Sequence, residues 1–206
     1  MKALICLLIG YLLGSVSPAS IVSSLKGRDL RHEGTGNLGA TNTILVMGKK
    51  IGLLVMALDI FKSYLAARIA QRLFEKFLLA GMLAALGAVI GHIHSVFLHF
   101  HGGKGVAALG GMMLFYKPSF FFLLIAVAIA LMLITNLGVV GPVSAALLFP
   151  LLVYLDSGSL SMAAVAAAAG LLILLSHREN IVKIRKGQEI LVKSFLNRVV
   201  LSNFRS

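Results

Sequence analysis

Three stretches of the 206-residue sequence combine glycine, hydroxyl, amide and cationic side chains closely enough to do chemistry. The first runs Gly34-Thr35-Gly36-Asn37-Leu38-Gly39-Ala40-Thr41-Asn42. Glycines let backbone N–H groups converge on an anion, and Thr35, Asn37, Thr41 and Asn42 add side-chain donors. The second contains Gly91-His92-Ile93-His94 and then His101-Gly102-Gly103-Lys104-Gly105-Val106-Ala107. Gly102, Gly103 and Gly105 supply pliable backbone, Lys104 a fixed cation, and an apolar run starting at Val106 offers the positive end of a helix. The third is His177-Arg178-Glu179-Asn180-Ile181 through Lys186-Gly187-Gln188-Glu189, where His177 and Asn180 at i, i+3 share a helical face. Together they describe a site suited to an anion.

Several alternatives are weaker on context. The first stretch fits G-x-G-x-x-G/A with Asp59 twenty residues beyond Gly39, but no strand precedes it and Asp59 sits in an apolar run, so a dinucleotide fold is not expected. Gly102-Gly103-Lys104-Gly105 is only half of a nucleotide P-loop, because Lys104 is followed by glycine and position 98 is Leu98. His92, His94, His99 and His101 have no acid nearby, and no metal site or cofactor is expected from them. Cys6 is the single cysteine, so the chain can form no internal disulfide.

The elements that must hold these stretches are apolar. Hydrophobic residues make up 59% of the chain and charged residues 13%, with a mean hydropathy of +0.97. That is too little charge to clothe a soluble domain. Apolar runs at Ala3–Leu25, Ile51–Ala67, Phe77–Phe97, Val106–Tyr116, Ser119–Thr135, Leu137–Leu155 and Leu160–Ser176 predict an all-α, polytopic integral membrane protein of about seven transmembrane helices. With no repeats or linkers, residues 1–206 read as a single membrane-embedded domain. Lys26, Arg28 and Arg31 after the first run favour an uncleaved first helix with its N-terminus outside. Val106–Thr135 is too long for one crossing, and Lys117-Pro118 breaks it in two. Parity then places all three polar segments and the basic C-terminal tail in the cytoplasm. The net charge of +12 fits cytoplasmic loops that attract anionic membrane lipids. With no tryptophan and few loop aromatics, no base-stacking surface is expected, and nucleic-acid binding is not predicted. Asp59 and Lys62, spaced i, i+3 within the second run, suit either a structural ion pair or a substrate contact.

Taken together, the three segments resemble the bacterial acyl-phosphate:glycerol-3-phosphate acyltransferase family, PlsY. That family carries a G-S-G-N-x-G-A-T-N loop, a G-H…F-x-G-G-K-G-V-A segment and an H-R-x-N-I…G-x-E tail in this order. Lys26–Arg31 and Leu58–Lys62 are also similar to its K-G-x-D-L-R and L-D-x-x-K patterns. The resemblance implies a site on the cytoplasmic face of the bacterial inner membrane. There a fatty acyl group would pass from acyl phosphate to the 1-position of glycerol 3-phosphate, giving lysophosphatidic acid for phospholipid synthesis, with no cofactor. Acyl-CoA and acyl carrier protein would not serve as donors, and the donor would come from the acyl-phosphate-producing enzyme PlsX, a transient partner. Lys104 and the N–H groups of Gly102–Gly105 would cradle one phosphate. Thr35, Gly36, Asn37, Gly39, Thr41 and Asn42 would cradle the other. His177, Asn180 and Lys104 would stand at the reacting atoms, with Arg178 among the residues binding substrate phosphate. None of the six histidines has aspartate five positions later, so the H-x-x-x-x-D base of the other acyltransferase class is absent. A mixed anhydride is already activated, so a substrate phosphate could take the proton, with His177 as the alternative base. The chain departs from the pattern at Thr35 (for Ser), Leu45 (for Arg), His94-Ser95 (for Phe-Pro), Asn136-Leu137 (for Arg-Tyr) and Pro142 (for Ser). These departures keep open a catalytically impaired paralogue, and the loops alone would also suit a small anion or phosphate transporter.

Overall fold

The computed structural model describes residues 1–189 and 191–202, with side chains through Asn197. Each of the seven apolar runs is helical. The first is α1 (Lys2–Ser15) and α2 (Pro18–Leu25), separated by a break at Val16–Ser17. Pro18 explains the break: it has no N–H to give and disfavours a helical conformation in the residue before it. Ser17 caps α2, its hydroxyl accepting from the Ser20 N–H at 3.2 Å. The short α3 (Ala40–Met47) follows the first polar loop. Then come α4 (Lys49–Leu73), α5 (Ala80–Ile93), α6 (Val106–Tyr116) and α7 (Pro118–Thr135). Pro118 at the first position of α7 and an extended Lys117 make the expected turn between α6 and α7. The chain continues through α8 (Val140–Ser157), α9 (Leu160–Ser176), α10 (Arg178–Arg185) and α11 (Val192–Ser202). Among the described residues there is no strand, only an isolated bridge between Leu137 and Leu191.

Four segments are long and apolar enough to cross a membrane: Lys2–Leu25, Ala80–Leu98, Pro118–Thr135 and Val140–Ser157. Leu160–Ser176 becomes a fifth when joined to Arg178–Arg185 across a 43° bend. The remaining two runs depart from a uniform spanning helix for readable reasons. Helix α4 is long enough but carries six charged residues: Lys49, Lys50, Asp59, Lys62, Arg68 and Arg72. Helix α6 is about 16 Å long at 1.5 Å per residue, roughly half a hydrocarbon core.

Packing follows small residues. On α1, Gly10 and Gly14 abut the backbone of Ala84 and Ala88; on α5, Gly87 and Gly91 abut that of Leu7 and Tyr11. A Cβ on any of the four would fall within 2.3 Å of a backbone oxygen. This is a reciprocal G-x-x-x-G seam, the device that membrane helices use to approach closely. The main core lies between α5, α6, α8 and α9, around Met82, Leu109, Met112, Phe149 and Ile173. Outward faces of α1, α7 and α8 expose large apolar side chains such as Leu4, Phe122 and Leu151, as a lipid-facing surface requires.

Candidate active site

The first polar loop is organised by Asn42 on α3. Its Oδ1 accepts from the Thr35 N–H at 2.6 Å, and its Nδ2 donates to the carbonyls of Leu30 at 2.9 Å and Glu33 at 3.0 Å. Asn42 is fully buried and its hydrogen-bonding capacity is filled inside the loop. It was read from sequence as a phosphate donor, and the structure makes it the residue that shapes the cradle instead. Gly34 and Gly36 hold positive φ, at 63° and 74°, in turns that other residues adopt only with strain. Arg28 braces the loop from outside, pairing with Glu33 and donating to the Val46 carbonyl at 2.5 Å. Thr35 and Thr41 remain exposed, and Asn37 is half-buried. Thr41 lies in the first turn of α3, where backbone N–H groups point out of the helix.

The second loop is a strap laid on the end of α5. The Gly102 N–H donates to the Ile93 carbonyl at 2.9 Å and the Gly103 N–H to the His92 carbonyl at 3.0 Å. Both were expected to face a phosphate. Their donors are occupied, and the glycines are there for close approach: a Cβ on Gly102 would lie 2.0 Å from the His92 carbonyl oxygen. On Gly103 it would lie 2.3 Å from His92 Nε2 and 2.8 Å from the Leu38 carbonyl oxygen. The first and second loops therefore touch. Gly105, at φ 79°, turns the chain into α6.

The third segment closes on Lys104. The ammonium of Lys104 donates to Asn180 Oδ1, and Asn180 Nδ2 donates to Glu189 Oε1 at 2.8 Å. The Ser176 hydroxyl donates to the Lys104 carbonyl at 3.0 Å. Burial pulls the Lys104 pKa below the usual lysine range, with Glu189 acting in the opposite sense. His177 is buried, and its Nδ1 lies 2.8 Å from the Ile173 carbonyl. A carbonyl only accepts, so Nδ1 carries the proton and Nε2 keeps its lone pair. Burial lowers the His177 pKa, against the opposing hydrogen bond to Ile173, and the Lys104 charge adds to the lowering, which favours the neutral ring. Arg178 is exposed at the start of α10. Asn136, left-handed at φ 59°, accepts from Val192 N–H at 3.0 Å through its carbonyl and from Lys193 N–H at 2.9 Å through its side chain. It thereby ties the tail to the α7–α8 connection.

Lys104, Asn180 and His177 are thus brought to one place, with the Thr35–Thr41 loop against the strap that carries Lys104. Sequence reasoning missed the Ser176 and Asn136 contacts, because a lone serine or asparagine at a helix end carries no spacing signal. Among the described residues no three His, Cys, Asp or Glu side chains converge as metal ligands.

Residues 4–187 match the family model described as glycerol-3-phosphate acyltransferase. The chain belongs to the glycerol-3-phosphate acyltransferase family. The relative from Aquifex aeolicus, itself named glycerol-3-phosphate acyltransferase, is 35% identical, with 92% of this chain and 98% of that protein aligned. The acyltransferase from Lactiplantibacillus plantarum is 38% identical, with 93% of each covered. Among solved structures, the glycerol 3-phosphate form of PlsY (YgiH), an integral membrane glycerol 3-phosphate acyltransferase, superposes with a TM-score of 0.86 at 34% identity. That match covers 93% of this chain and 96% of PlsY. The lysophosphatidic acid form gives 0.85 at 32% identity, covering 95% and 99%.

Proposed function

We propose that this acyltransferase-family protein transfers a fatty acyl group from acyl phosphate to the 1-position of glycerol 3-phosphate, forming lysophosphatidic acid. The observation that carries the reading is the contact of three polar segments around Lys104. Two loops lie edge to edge at Leu38 and Gly103, Asn180 takes the strap's cation, and His177 follows the Ser176 whose hydroxyl holds the Lys104 carbonyl. Two phosphates can be held side by side there. Lys104 and the outward donors of Thr35, Asn37, Thr41 and the α3 N-terminus are the groups that would bind them. A fixed cation and preset donors stabilise charge moving onto the leaving phosphate. The glycerol hydroxyl attacks the acyl carbon, the carbonyl–phosphate bond breaks, and inorganic phosphate leaves. The hydroxyl proton passes to a substrate phosphate or to His177 Nε2.

Supply of the donor by PlsX and a cytoplasm-facing site in the inner membrane belong to the same proposal. So do seven crossings, an outer N-terminus and anionic lipid around the basic tail. The short α6 supports a Lys104 recessed from the membrane face, within reach of a fatty acyl phosphate anchored in lipid. Residues 1–206 would act as one membrane domain.

The test is conversion of acyl phosphate and radiolabelled glycerol 3-phosphate by the purified protein in vesicles. Lysophosphatidic acid should form, and Lys104→Ala should lower kcat/KM by about a hundredfold, as loss of one preset donor does elsewhere. Equal yields from Lys104→Ala and wild type would remove Lys104 from the reaction. Label crossing sealed vesicles without acylation would point to anion transport.

A further inference from the structure

Beneath the strap lies a buried charge cluster that the proposed reaction leaves unused. Asp59 on α4 is 1% exposed, and its Oδ1 sits 2.8 Å from Lys62 Nζ and 3.3 Å from His92 Nδ1. Lys62 in turn donates to the Val16 carbonyl at 2.6 Å, at the break between α1 and α2. The neighbouring Ser15 carbonyl accepts the Ser95 hydroxyl at 2.6 Å. A carboxylate and an ammonium removed from water inside a membrane protein are costly, and they persist where they serve a purpose. Asp59 Oδ1 and His92 Nδ1 meet in close contact without a formed hydrogen bond, so the pair within α4 does not use up the carboxylate. What makes this one different is its third member. His92 belongs to α5, and its opposite ring edge, Nε2, is the surface against which Gly103 is packed. The Leu38 carbonyl of the first loop meets Gly103 in the same gap. The imidazole therefore stands as a wedge, with Asp59 on one edge and the meeting point of both loops on the other.

We propose that Asp59 and His92 are positioning residues: the buried carboxylate fixes the orientation of the His92 ring, and the ring sets the spacing between the two phosphate-binding loops. Lys62 balances the charge of Asp59 and extends the hold to the α1–α2 break. Neither Asp59 nor His92 touches substrate. Their effect reaches the site through Gly103, one residue from Lys104. A shift of about 1 Å at a loop edge is enough to spoil the alignment of two bound phosphates. The inference rests on the acyltransferase reading for its consequence to catalysis, but its geometric core is independent of it.

The experiment uses the full chain in lipid vesicles. Three variants are compared with wild type: His92→Gln, His92→Leu, and the double variant Asp59→Asn with Lys62→Met, which removes both charges together and leaves no lone buried ion. Amide exchange should quicken by about tenfold over Gly102–Lys104 and Asn37–Gly39 in the double variant and in His92→Leu, while the α1–α5 seam keeps its protection. In the same vesicles the KM for glycerol 3-phosphate should rise about tenfold with kcat within threefold in His92→Leu, and His92→Gln, which keeps a polar amide near the Nε2 position, should recover part of the loss. Unchanged exchange in both loops would overturn the inference. So would a uniform rise along all helices, which marks a merely structural pair. Turnover by the wild type bears on the acyltransferase reading alone, whereas the exchange pattern judges the wedge whether or not turnover is seen.

Discussion

Asn42 shows how one buried side chain can shape a whole loop. Its amide oxygen needs a donor and its two N–H groups need acceptors, and the loop supplies one and two. Asn42→Ala orphans the buried Leu30 carbonyl and two part-buried backbone groups, Thr35 N–H and the Glu33 carbonyl, and should cost about 2 kcal/mol of stability. Asn42→Asp should be at least as harmful, because one carboxylate oxygen would then face the Leu30 and Glu33 carbonyls. Thermal melting of the two variants checks the order, and an Asp variant milder than Ala would contradict the geometry. At His177, burial lowers the pKa, so the neutral ring persists to lower pH than for an exposed histidine. Any acid-side loss of activity that depends on this ring should therefore lie below about pH 6.5, the ordinary histidine value. His177→Asn should abolish that limb in a pH–rate profile, and a His177-dependent limb above the ordinary value would count against a buried neutral ring.

Among the elements, helix α5 carries the greatest responsibility, with one face on α1 and its C-terminal end under the strap. The Gly91 position admits no side chain, since a Cβ there would lie 2.2 Å from the Tyr11 carbonyl oxygen. Gly91→Ile should push α1 away at a cost of about 3 kcal/mol or more, read as a lower melting temperature in detergent, whereas Gly138→Ala, with nothing within 4 Å and no left-handed backbone, should leave it unchanged. The extent of such elements was legible in the sequence because apolar runs report burial in lipid directly. Lys117-Pro118 was legible too, since proline acts on its own chain neighbours. The α1–α2 break carried the same signal at Pro18, masked because the run Ala3–Leu25 contains no charged residue. The helix α3, inside a stretch read only as a polar loop, was hidden by its brevity. The charge cluster was half visible: Asp59 and Lys62 are one turn apart, but nothing in the spacing pointed to His92, 33 positions on and in another helix. Likewise, glycines at 102 and 103 announce close approach, and only coordinates tell whether the neighbour is a ligand or the end of α5.

At the scale of the whole molecule, the connections sort to two ends. Loop one, the strap, the α7–α8 connection at Asn136 and the tail meet at one end through Leu38–Gly103, Lys104–Asn180 and Asn136–Val192. At the other, Lys117 pairs with Asp156. The shared end makes the proposed sidedness testable. Cys6 is buried, so background labelling by a membrane-impermeant thiol reagent should be low. In sealed inverted vesicles Lys186→Cys should react and Ser157→Cys should not. The opposite pattern would reverse the proposed orientation.

The glycine seam between α1 and α5 has a further consequence, in the response to bilayer thickness. Glycine has no side-chain rotamers to freeze, so the two backbones lock together at little entropic cost and tilt as a single rod. A membrane too thin or too thick for that rod is accommodated by tilting it. The rod ends under the strap, at His92 and Ile93, where Gly102 and Gly103 are bonded. Lipid chain length should thus reach the proposed phosphate site mechanically. Turnover measured in vesicles of graded acyl-chain length should peak at one thickness, and a flat response would show that the rod and the strap are uncoupled.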